Sequence, residues 1–282
     1  MTQPAGAARA HPFFLGSGPE RRFCLFHAPA GTECKGALLY LHPFGDEMNK
    51  ARRMAALQAR ALAALGYGVL QLDLHGCGDS AGDFADARWD GWKADVAAGI
   101  AWLQQRLGQP VGLWGLRVGA LLALDYARSA PQPLAQLLLW QPVQSGASFL
   151  TQFLRMRMAK EMMNDDKGAG GGTAAMRASL QAGAPLEVGG YELAPQMAAA
   201  LDGLDAAAMA VTNCPVHWLE VVPAEGRPMP VAAARAAARW REQGVDLHTA
   251  QVACLPFWST QEISECPALL AATTAILEGV PA

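Results

Sequence analysis

The stretch that decides the fold is Val111–Leu124, with the sequence VGLWGLRVGALLAL. It opens with an apolar run typical of a buried strand and closes with a second apolar run that predicts a buried helix. Between them, Gly115 and Gly119 have the spacing of the Gly-x-Ser-x-Gly turn, in which glycines let a strand turn sharply into a helix and expose a nucleophile. Arg117 stands where that motif has its serine. The pattern therefore predicts the turn without its nucleophile.

On both sides of this turn, β-rich runs alternate with Ala- and Leu-rich runs, which is typical of a mostly parallel sheet with helices on both faces. The predicted strands are 22–29, 36–42, 67–74, 136–143, 215–223 and 245–253, and predicted helices cover 49–66, 229–243 and 264–278. A further helix carries Trp89, Trp92, Val96, Ile100, Leu103 and Leu107. This three- and four-residue spacing places them on one helix face, so the tryptophans are predicted to be core residues.

The middle of the chain breaks the alternation and predicts an inserted cap over residues 144–209, leaving 1–143 and 210–282 as the core. The cap contains a Met-rich helical run, the flexible stretch NDDKGAGGGT, and LEVGGYEL, whose Gly-Gly pair favours a hairpin. Its methionines, Met156, Met158, Met162 and Met163, either pack in a core or line an adaptable apolar pocket.

Composition excludes several classes of function. The 282-residue chain has 17% charged residues and a formal net charge of −3, and it has no dense Lys/Arg run, so nucleic acid is not an expected partner. No apolar run is long enough to insert into a membrane, and the N-terminus lacks the apolar part of a signal peptide, so a cytoplasmic location is expected. The oligomeric state stays open.

Cysteine and glycine patterns argue against a metal or a cofactor. The six cysteines, Cys24, Cys34, Cys77, Cys214, Cys254 and Cys266, form no C-x-x-C pair, and no histidine lies at zinc-ligand spacing. We expect reduced thiols and no metal site. The GAGGG run lies in the cap and does not follow a strand, so no dinucleotide or other cofactor is expected.

Three motifs together resemble the α/β-hydrolase superfamily. His42-Pro43-Phe44-Gly45 follows a predicted strand and is similar to the loop that supplies an oxyanion-hole amide. Asp73–Ser80, DLHGCGDS, is similar to the D-x-R-G-x-G-x-S turn, and the Arg117 turn follows in the expected order. The resemblance implies an α/β-hydrolase fold with an inserted cap and an oxyanion hole formed by the Phe44 and Val118 amides.

The chain more closely resembles the exosortase A-associated hydrolase 2 family. The resemblance rests on residues 41–84, LHPFGDEMNKARRMAALQARALAALGYGVLQLDLHGCGDSAGDF, on LWGLRVGALLA at 113–123, and on GGYEL at 189–193. It implies a role linked to exopolysaccharide production and PEP-CTERM protein sorting. It implies no particular substrate.

Serine hydrolysis requires a serine, an acid and a histidine in that chain order. Arg117 fails as nucleophile because a guanidinium stays protonated and only donates hydrogen bonds. The last histidine is His248, near the start of its predicted strand, and the loop after that strand offers Trp258 and no histidine. Glu225 stands about where the superfamily places its acid. Ordinary serine esterase activity is therefore not expected.

Arg117 suggests a different use of the turn. With the Phe44 and Val118 amides, it is predicted to bind an acidic group of a small metabolite or saccharide. The alternative is that Arg117 pairs with Glu225 and fills the space left by the missing serine and histidine.

Other residues carry weaker hypotheses. Cys77, two residues after His75, could be a displaced thiol nucleophile or an inert loop cysteine. His42 could contact a ligand or brace its loop, and Trp258 could stack on a sugar or plug the histidine position. The two functions left open are thus a non-catalytic binder of an acidic ligand, and an active hydrolase of ester or acyl bonds that uses water or Cys77.

Overall fold

The computed structural model describes residues 10–163 and 172–279. Most of the stretch predicted as a flexible glycine-rich loop, residues 164–171, lies outside these ranges. The strands are β1 Ala10–Leu15, β2 Arg22–His27, β3 Gly36–Leu41, β4 Tyr67–Leu72, β5 Val111–Leu116, β6 Leu137–Trp140, β7 Leu186–Val188, β8 Tyr191–Leu193, β9 Val216–Val222 and β10 Leu247–Ala253. The helices are α1 Asp46–Ala64, α2 Trp89–Leu107, α3 Val118–Arg128, α4 Gly146–Met163, α5 Gly172–Gln181, α6 Pro195–Asp202, α7 Val231–Glu242 and α8 Pro267–Glu278.

Eight strands form one sheet in the order β1-β2-β4-β3-β5-β6-β9-β10. β2 runs antiparallel to its neighbours β1 and β4, and the pairs from β4 to β10 are parallel. Every residue of β3, β5 and β6 is buried, as expected for central parallel strands with helices on both faces. The predicted mostly parallel α/β architecture is confirmed, and the parallel strands present their carboxyl ends at one edge.

The core consists of one apolar layer on each face of the sheet. One layer contains the predicted face of α2, in which Trp89, Trp92, Val96, Ile100 and Leu103 are buried. The other contains buried side chains of α1 and α8, among them Met54, Leu62 and Leu269. The interpretation of the α2 tryptophans as core residues is therefore confirmed. No helix in the described part of the chain has the length and apolar character to cross a membrane.

Several boundaries differ from the prediction. α1 begins at Asp46 rather than at residue 49, and its first turn therefore carries Glu47. The edge strand β1 and the helices α5 and α6 were not predicted, because the exposed positions of β1 and the small residues of α5 and α6 give weak periodic signals. The shifted start of α1 matters most, because it brings a carboxylate to the turn at Arg117.

Between β6 and β9 lie α4, α5, the β7–β8 hairpin and α6, none of which adds a strand to the main sheet. The predicted hairpin is confirmed, with both turn glycines at positive φ: 61° at Gly189 and 91° at Gly190. The rings of Phe149 and Phe153 on α4 contact the ring of Phe44, with centroids 5.6 and 5.2 Å apart. The inserted segment thus packs over the carboxyl edge of the sheet.

The expectation that all cysteines are reduced thiols is wrong for two of them. Cys254 follows β10 and Cys266 precedes α8, and the two form a disulfide with their Cα atoms 5.8 Å apart. Neither spacing nor neighbouring residues signal this pair, because the fold alone brings the end of a strand to the start of the next helix. The other four cysteines are free.

His27 makes the stability of the fold depend on pH. It is fully buried in β2, and burial, followed by the nearby Arg60 charge, lowers its pKa. Protonation therefore favours the unfolded chain, and the stability contributed by neutral His27 is lost as the pH falls below about 6.5. We expect the unfolding free energy of the wild type, relative to His27→Leu, to fall by about 1 kcal/mol between pH 7.5 and 5.5.

Urea denaturation of both proteins across this pH range measures the difference. The other histidines are common to both proteins, so their contributions cancel. Parallel stability curves would show that His27 does not titrate differently in the folded and unfolded states.

Candidate functional site at the strand-to-helix turn

Arg117 occupies the predicted turn between β5 and α3. Its backbone has φ 58° and ψ −115°, a left-handed conformation that costs a non-glycine residue about 1–3 kcal/mol. A Cβ atom at Gly115 would lie 2.5 Å from the Gly119 carbonyl oxygen, and one at Gly119 would lie 2.2 Å from the Leu41 carbonyl oxygen. Both glycines are therefore required where the chain folds back on itself and against β3. The predicted turn is present in the structure, with Arg117 at its apex.

The carboxylate that pairs with Arg117 is Glu47, on the first turn of α1. Arg117 Nη2 lies 3.2 Å from Glu47 Oε1, and Arg117 Nε lies 3.4 Å from both carboxylate oxygens. The two side chains are 17% and 20% exposed, so the pair is largely shielded from water. Among the described residues, no acceptor pairs with Nη1 of Arg117. The guanidinium therefore binds Glu47 through Nε and Nη2, and its Nη1 retains N–H donors for another acceptor.

Glu47 is a functional candidate that the sequence reading missed. The predicted start of the helix lay after it, so no signal placed it on a helix turn facing residue 117. Burial raises the pKa of Glu47, whereas the Arg117 guanidinium acts in the opposite direction. Its state of charge therefore depends on Arg117, and loss of the guanidinium would favour the protonated carboxyl group.

The structure does not pair Arg117 with Glu225, which corrects the alternative raised from the sequence. Glu225 is exposed in the segment after β9. The buried acid of that region is Glu220, on β9, whose carboxylate accepts hydrogen bonds from Trp218 Nε1 at 2.8 Å and Gln141 Nε2 at 2.9 Å. Burial raises the pKa of Glu220, and the charge of Arg117 lowers it to a smaller extent. Chain position alone could not show which acid faces inward.

A cavity of about 340 Å³ opens beside Arg117. Its charged lining comes in two pairs, Arg117 with Glu47 and Lys50 with Asp46, whose Nζ and Oδ2 atoms are 3.1 Å apart. Its apolar lining consists of Phe44, Phe149, Phe153, Met156 and Trp258. The cavity therefore combines balanced charges at one side with a mostly aromatic wall.

Trp258 and Met156 both line this cavity, as Phe44 does. Trp258 is 6% exposed, and the Arg117 Cζ atom lies 5.4 Å from the centre of its ring, within cation–π range. Met156 is 48% exposed and lines the cavity. The side chains of Met158, Met162 and Met163 lie outside what the structure describes. Trp258 thus contacts Arg117 in the loop where the superfamily has its histidine.

The two predicted oxyanion-hole amides are free to donate. Across residues 10–163 and 172–279, no hydrogen-bond acceptor pairs with the amide of Phe44 or Val118. Gly119 packs against the Leu41 and His42 carbonyls, which brings the start of α3 beside the loop that carries Phe44. Phe44 lines the cavity beside Arg117 and Val118 does not, so anion binding at these two amides stays a prediction.

His42 braces its loop. Its Nδ1 lies 2.8 Å from the Pro43 carbonyl oxygen, and its Nε2 lies 3.2 Å from the Leu74 amide nitrogen. Nδ1–H therefore donates to Pro43 and Nε2 accepts from Leu74, which fixes a neutral tautomer, and burial lowers the His42 pKa. With both ring nitrogens occupied, His42 offers no nitrogen to a ligand, and it does not line the cavity beside Arg117.

Cys77 is poorly suited to nucleophilic attack. It is 7% exposed, and burial, followed by the charges of Asp73 and Asp95, raises its pKa. A thiol needs a nearby cation or an exposed, polar setting to form its reactive thiolate. Cys77 also does not line the cavity beside Arg117. The structure therefore does not support its proposed role as a displaced nucleophile.

The turn after β4 is held by its own polar side chains. Asp73 Oδ2 accepts hydrogen bonds from the Asp79 amide and Arg52 Nη2, each at 3.0 Å. The Ser80 hydroxyl donates to the Asp73 carbonyl and accepts from the Phe23 amide. Asp73 and Ser80 thus hold this turn together through their side chains. The described residues contain no cluster of His, Cys, Asp and Glu that could hold a metal ion.

Comparison with known proteins agrees with the fold. Residues 32–165 match the family model Hydrolase_4, described as serine aminopeptidase, S33. This matched region spans the Phe44 loop, the turn after β4, the Arg117 turn and all of α4. No curated protein sequence matches the chain.

Solved structures match almost the whole chain at low sequence identity. Est1E from Butyrivibrio proteoclasticus with bound ferulic acid has a TM-score of 0.65 at 14% identity, covering 95% of this chain and 96% of its own. A thermostable carboxyl esterase from Bacillus coagulans has a TM-score of 0.65 at 12% identity, with 96% and 98% covered. A putative hydrolase from Agrobacterium vitis S4 has a TM-score of 0.60 at 17% identity, with 96% and 98% covered. The chain therefore has the α/β-hydrolase fold, and its residues 32–165 are similar to the Hydrolase_4 family model.

Proposed function

We propose that the cavity beside Arg117 binds a small molecule that carries an acidic group on an apolar body, and that it does so without a serine nucleophile. The observation that carries this proposal is the guanidinium at the apex of the turn, held by Glu47 through Nε and Nη2 while Nη1 has no acceptor in the described structure. A carboxylate or phosphate would accept from Nη1 and from the Phe44 and Val118 amides. The start of α3 adds favourable potential for an anion.

The apolar wall of the cavity supports the proposal that the ligand has an apolar body. A cavity of about 340 Å³ lined by Phe149, Phe153, Met156 and Trp258 suits a ring or a short acyl chain. The paired charges of the lining contribute no net positive charge, so affinity must come from the directed donors together with apolar contact. A free inorganic anion would use only the donors and would bind more weakly than an aromatic acid.

The proposed setting follows the resemblance to the exosortase A-associated hydrolase 2 family. There the chain would act in the cytoplasm, in exopolysaccharide production or PEP-CTERM protein sorting, with a small acidic metabolite or saccharide as its ligand. Deletion of the gene in its host, followed by quantification of secreted polysaccharide and of sorted surface proteins, tests this setting. Unchanged amounts of both would contradict it.

The binding proposal is tested with 4-phenylbutyrate as the probe and its uncharged amide as the comparison. Isothermal titration calorimetry should show binding of the acid to the wild type and weaker binding of the amide. Arg117→Ala should weaken the acid about tenfold or more, since it removes charged hydrogen bonds. Glu47→Gln should tighten it about threefold or more, because a competing carboxylate is removed.

Arg106→Ala provides the matched control, because Arg106 is an exposed arginine on α2 that does not line the cavity. It should leave the affinity unchanged. Equal affinity in the wild type and Arg117→Ala would contradict the proposal. So would an absence of binding by phenylbutyrate, phenyl phosphate and glucuronate alike.

A second candidate function is hydrolysis of ester or acyl bonds by water. The observation that favours it is Glu47, a shielded carboxyl group of the cavity lining whose pKa is raised by burial and which could take a proton from water. An assay with 4-nitrophenyl butyrate tests it on the wild type, Glu47→Gln and Cys77→Ala. We expect all three to match the buffer rate. Turnover that disappears only in Glu47→Gln would establish the hydrolase instead.

A further inference from the structure

One wall of the Arg117 cavity is formed by the loop between β10 and α8. Trp258 and Ser259 of this loop line the cavity, and Trp258 lies against the Arg117 guanidinium. Phe257 is fully buried beneath them. The position of this loop therefore determines the shape of the cavity beside the proposed ligand donors.

The two ends of the loop are covalently joined. The Cys254–Cys266 disulfide closes residues 255–265 into a ring, and these residues form neither helix nor strand. Inside the ring, the Thr260 hydroxyl contacts the Glu262 carbonyl at 2.7 Å and the Ser264 hydroxyl at 3.0 Å. One ion pair, Arg53–Glu265, also joins the loop to α1. The disulfide thus adds a covalent restraint to the core packing of Phe257 and Trp258.

The position of the disulfide favours thiol–disulfide exchange. One of its sulfur atoms is accessible to an attacking thiol, and the other is a good leaving group. Cys254 is partly exposed, whereas Cys266 is 1% exposed and stands at the N-terminus of α8. A thiolate at a helix N-terminus is stabilised by the free amides and the helix dipole, and a stabilised thiolate is a good leaving group in exchange. Attack at the Cys254 sulfur would release the Cys266 thiolate.

We propose that the Cys254–Cys266 disulfide is a redox-controlled clamp on the Arg117 cavity. In the oxidised form, the closed loop holds Trp258 in place as a preformed wall. A dithiol reductant supplies two electrons and two protons, the S–S bond breaks, both cysteines become thiols, and the reductant forms its own disulfide. The reduced loop gains freedom, which must be given up when a ligand binds, so affinity falls.

Two features beyond the bond itself support the clamp. The remaining cysteines are free and three of them are buried, so reduction acts on this one bond. A disulfide in a reducing compartment is usually transient and regulatory, which fits the cytoplasmic setting proposed above. The effect on ligand binding rests on the proposed function, whereas the effect on the loop does not.

The experiment uses the full chain in oxidised form and after treatment with dithiothreitol. Thiol titration in denaturant should find four thiols in the oxidised protein and six after reduction. Hydrogen exchange of residues 255–265 should accelerate on reduction, and the affinity for 4-phenylbutyrate should fall about fivefold. Cys254→Ser/Cys266→Ser should behave as the reduced protein with or without reductant. Cys34→Ser, which changes a free cysteine in another loop, should respond as the wild type does.

Each outcome is decisive. Six thiols in the oxidised protein, or unchanged exchange of the loop, would overturn the clamp whatever the ligand. Faster exchange with unchanged phenylbutyrate affinity would overturn its control of the cavity. Faster hydrogen exchange of the loop, with no phenylbutyrate binding to either the oxidised or the reduced protein, would overturn the proposed function. It would also overturn the control of ligand binding by the clamp. The comparison of oxidised and reduced wild type needs no substitution, so a variant that fails to fold leaves the test intact.

Discussion

Gly119→Ala is expected to leave little folded protein. The added Cβ atom would lie 2.2 Å from the Leu41 carbonyl oxygen and 2.6 Å from that of His42. Both obstacles are backbone atoms of a buried strand end, which cannot rotate away as a side chain could. Relief requires α3 to move away from β3, and we expect a loss of more than about 3 kcal/mol of unfolding free energy.

Gly91→Ala is the matched control, because it makes the same change inside a helix. A Cβ atom at Gly91, on α2, would meet only the Arg88 Cβ atom at 3.8 Å. Alanine there should stabilise the protein by up to about 1 kcal/mol through helix propensity. Urea denaturation followed by circular dichroism measures both variants. Loss of less than 1 kcal/mol in Gly119→Ala would show that α3 does not approach β3 as closely as described.

Asp95→Ala is expected to cost about 3 kcal/mol, because it leaves a buried arginine without its main partner. Asp95 Oδ1 accepts from Arg22 Nε at 2.7 Å, with the two side chains 8% and 9% exposed. Its other oxygen accepts from the His75 amide at 2.8 Å. One carboxylate therefore ties together α2, β2 and the turn after β4, and its loss breaks both connections.

The same helix offers a control in Asp90. That carboxylate is 93% exposed and pairs with Lys93 one turn away, so Asp90→Ala should change the unfolding free energy by less than about 0.5 kcal/mol. The double variant Arg22→Met/Asp95→Leu should recover much of the loss, because it removes both buried charges. Equal denaturation midpoints for Asp90→Ala and Asp95→Ala would contradict the proposed role of the buried pair.

The fold was predictable because patterns of neighbouring residues in the sequence indicate its main strands, helices and turns. Continuous apolar runs mark the central strands, the spacing of apolar residues marks α2, and two glycines mark the turn at Arg117. These signals depend on neighbours within a few residues, so they survive without knowledge of the tertiary structure. The edge strand β1 was missed because an exposed edge strand needs no strong apolar pattern.

The site was predictable only in part. The sequence indicated Arg117, Phe44, Val118 and Trp258, and the structure brings Arg117, Phe44 and Trp258 to one cavity. It pointed to Glu225 as the partner of Arg117, whereas Glu47 is the partner. That error arose from a helix start placed three residues late, and helix boundaries are the least certain part of a pattern-based prediction.

The sequence by itself determined the α/β architecture, the turn between β5 and α3, and the replacement of its serine by arginine. Only the tertiary structure decided which carboxylate neutralises that arginine and which two of the six cysteines are joined. The physical reason is the sequence separation of the residues that interact. Strand and helix signals arise from residues a few positions apart, whereas Glu47 meets Arg117 and Cys254 meets Cys266 because the folded sheet brings separate segments to one edge.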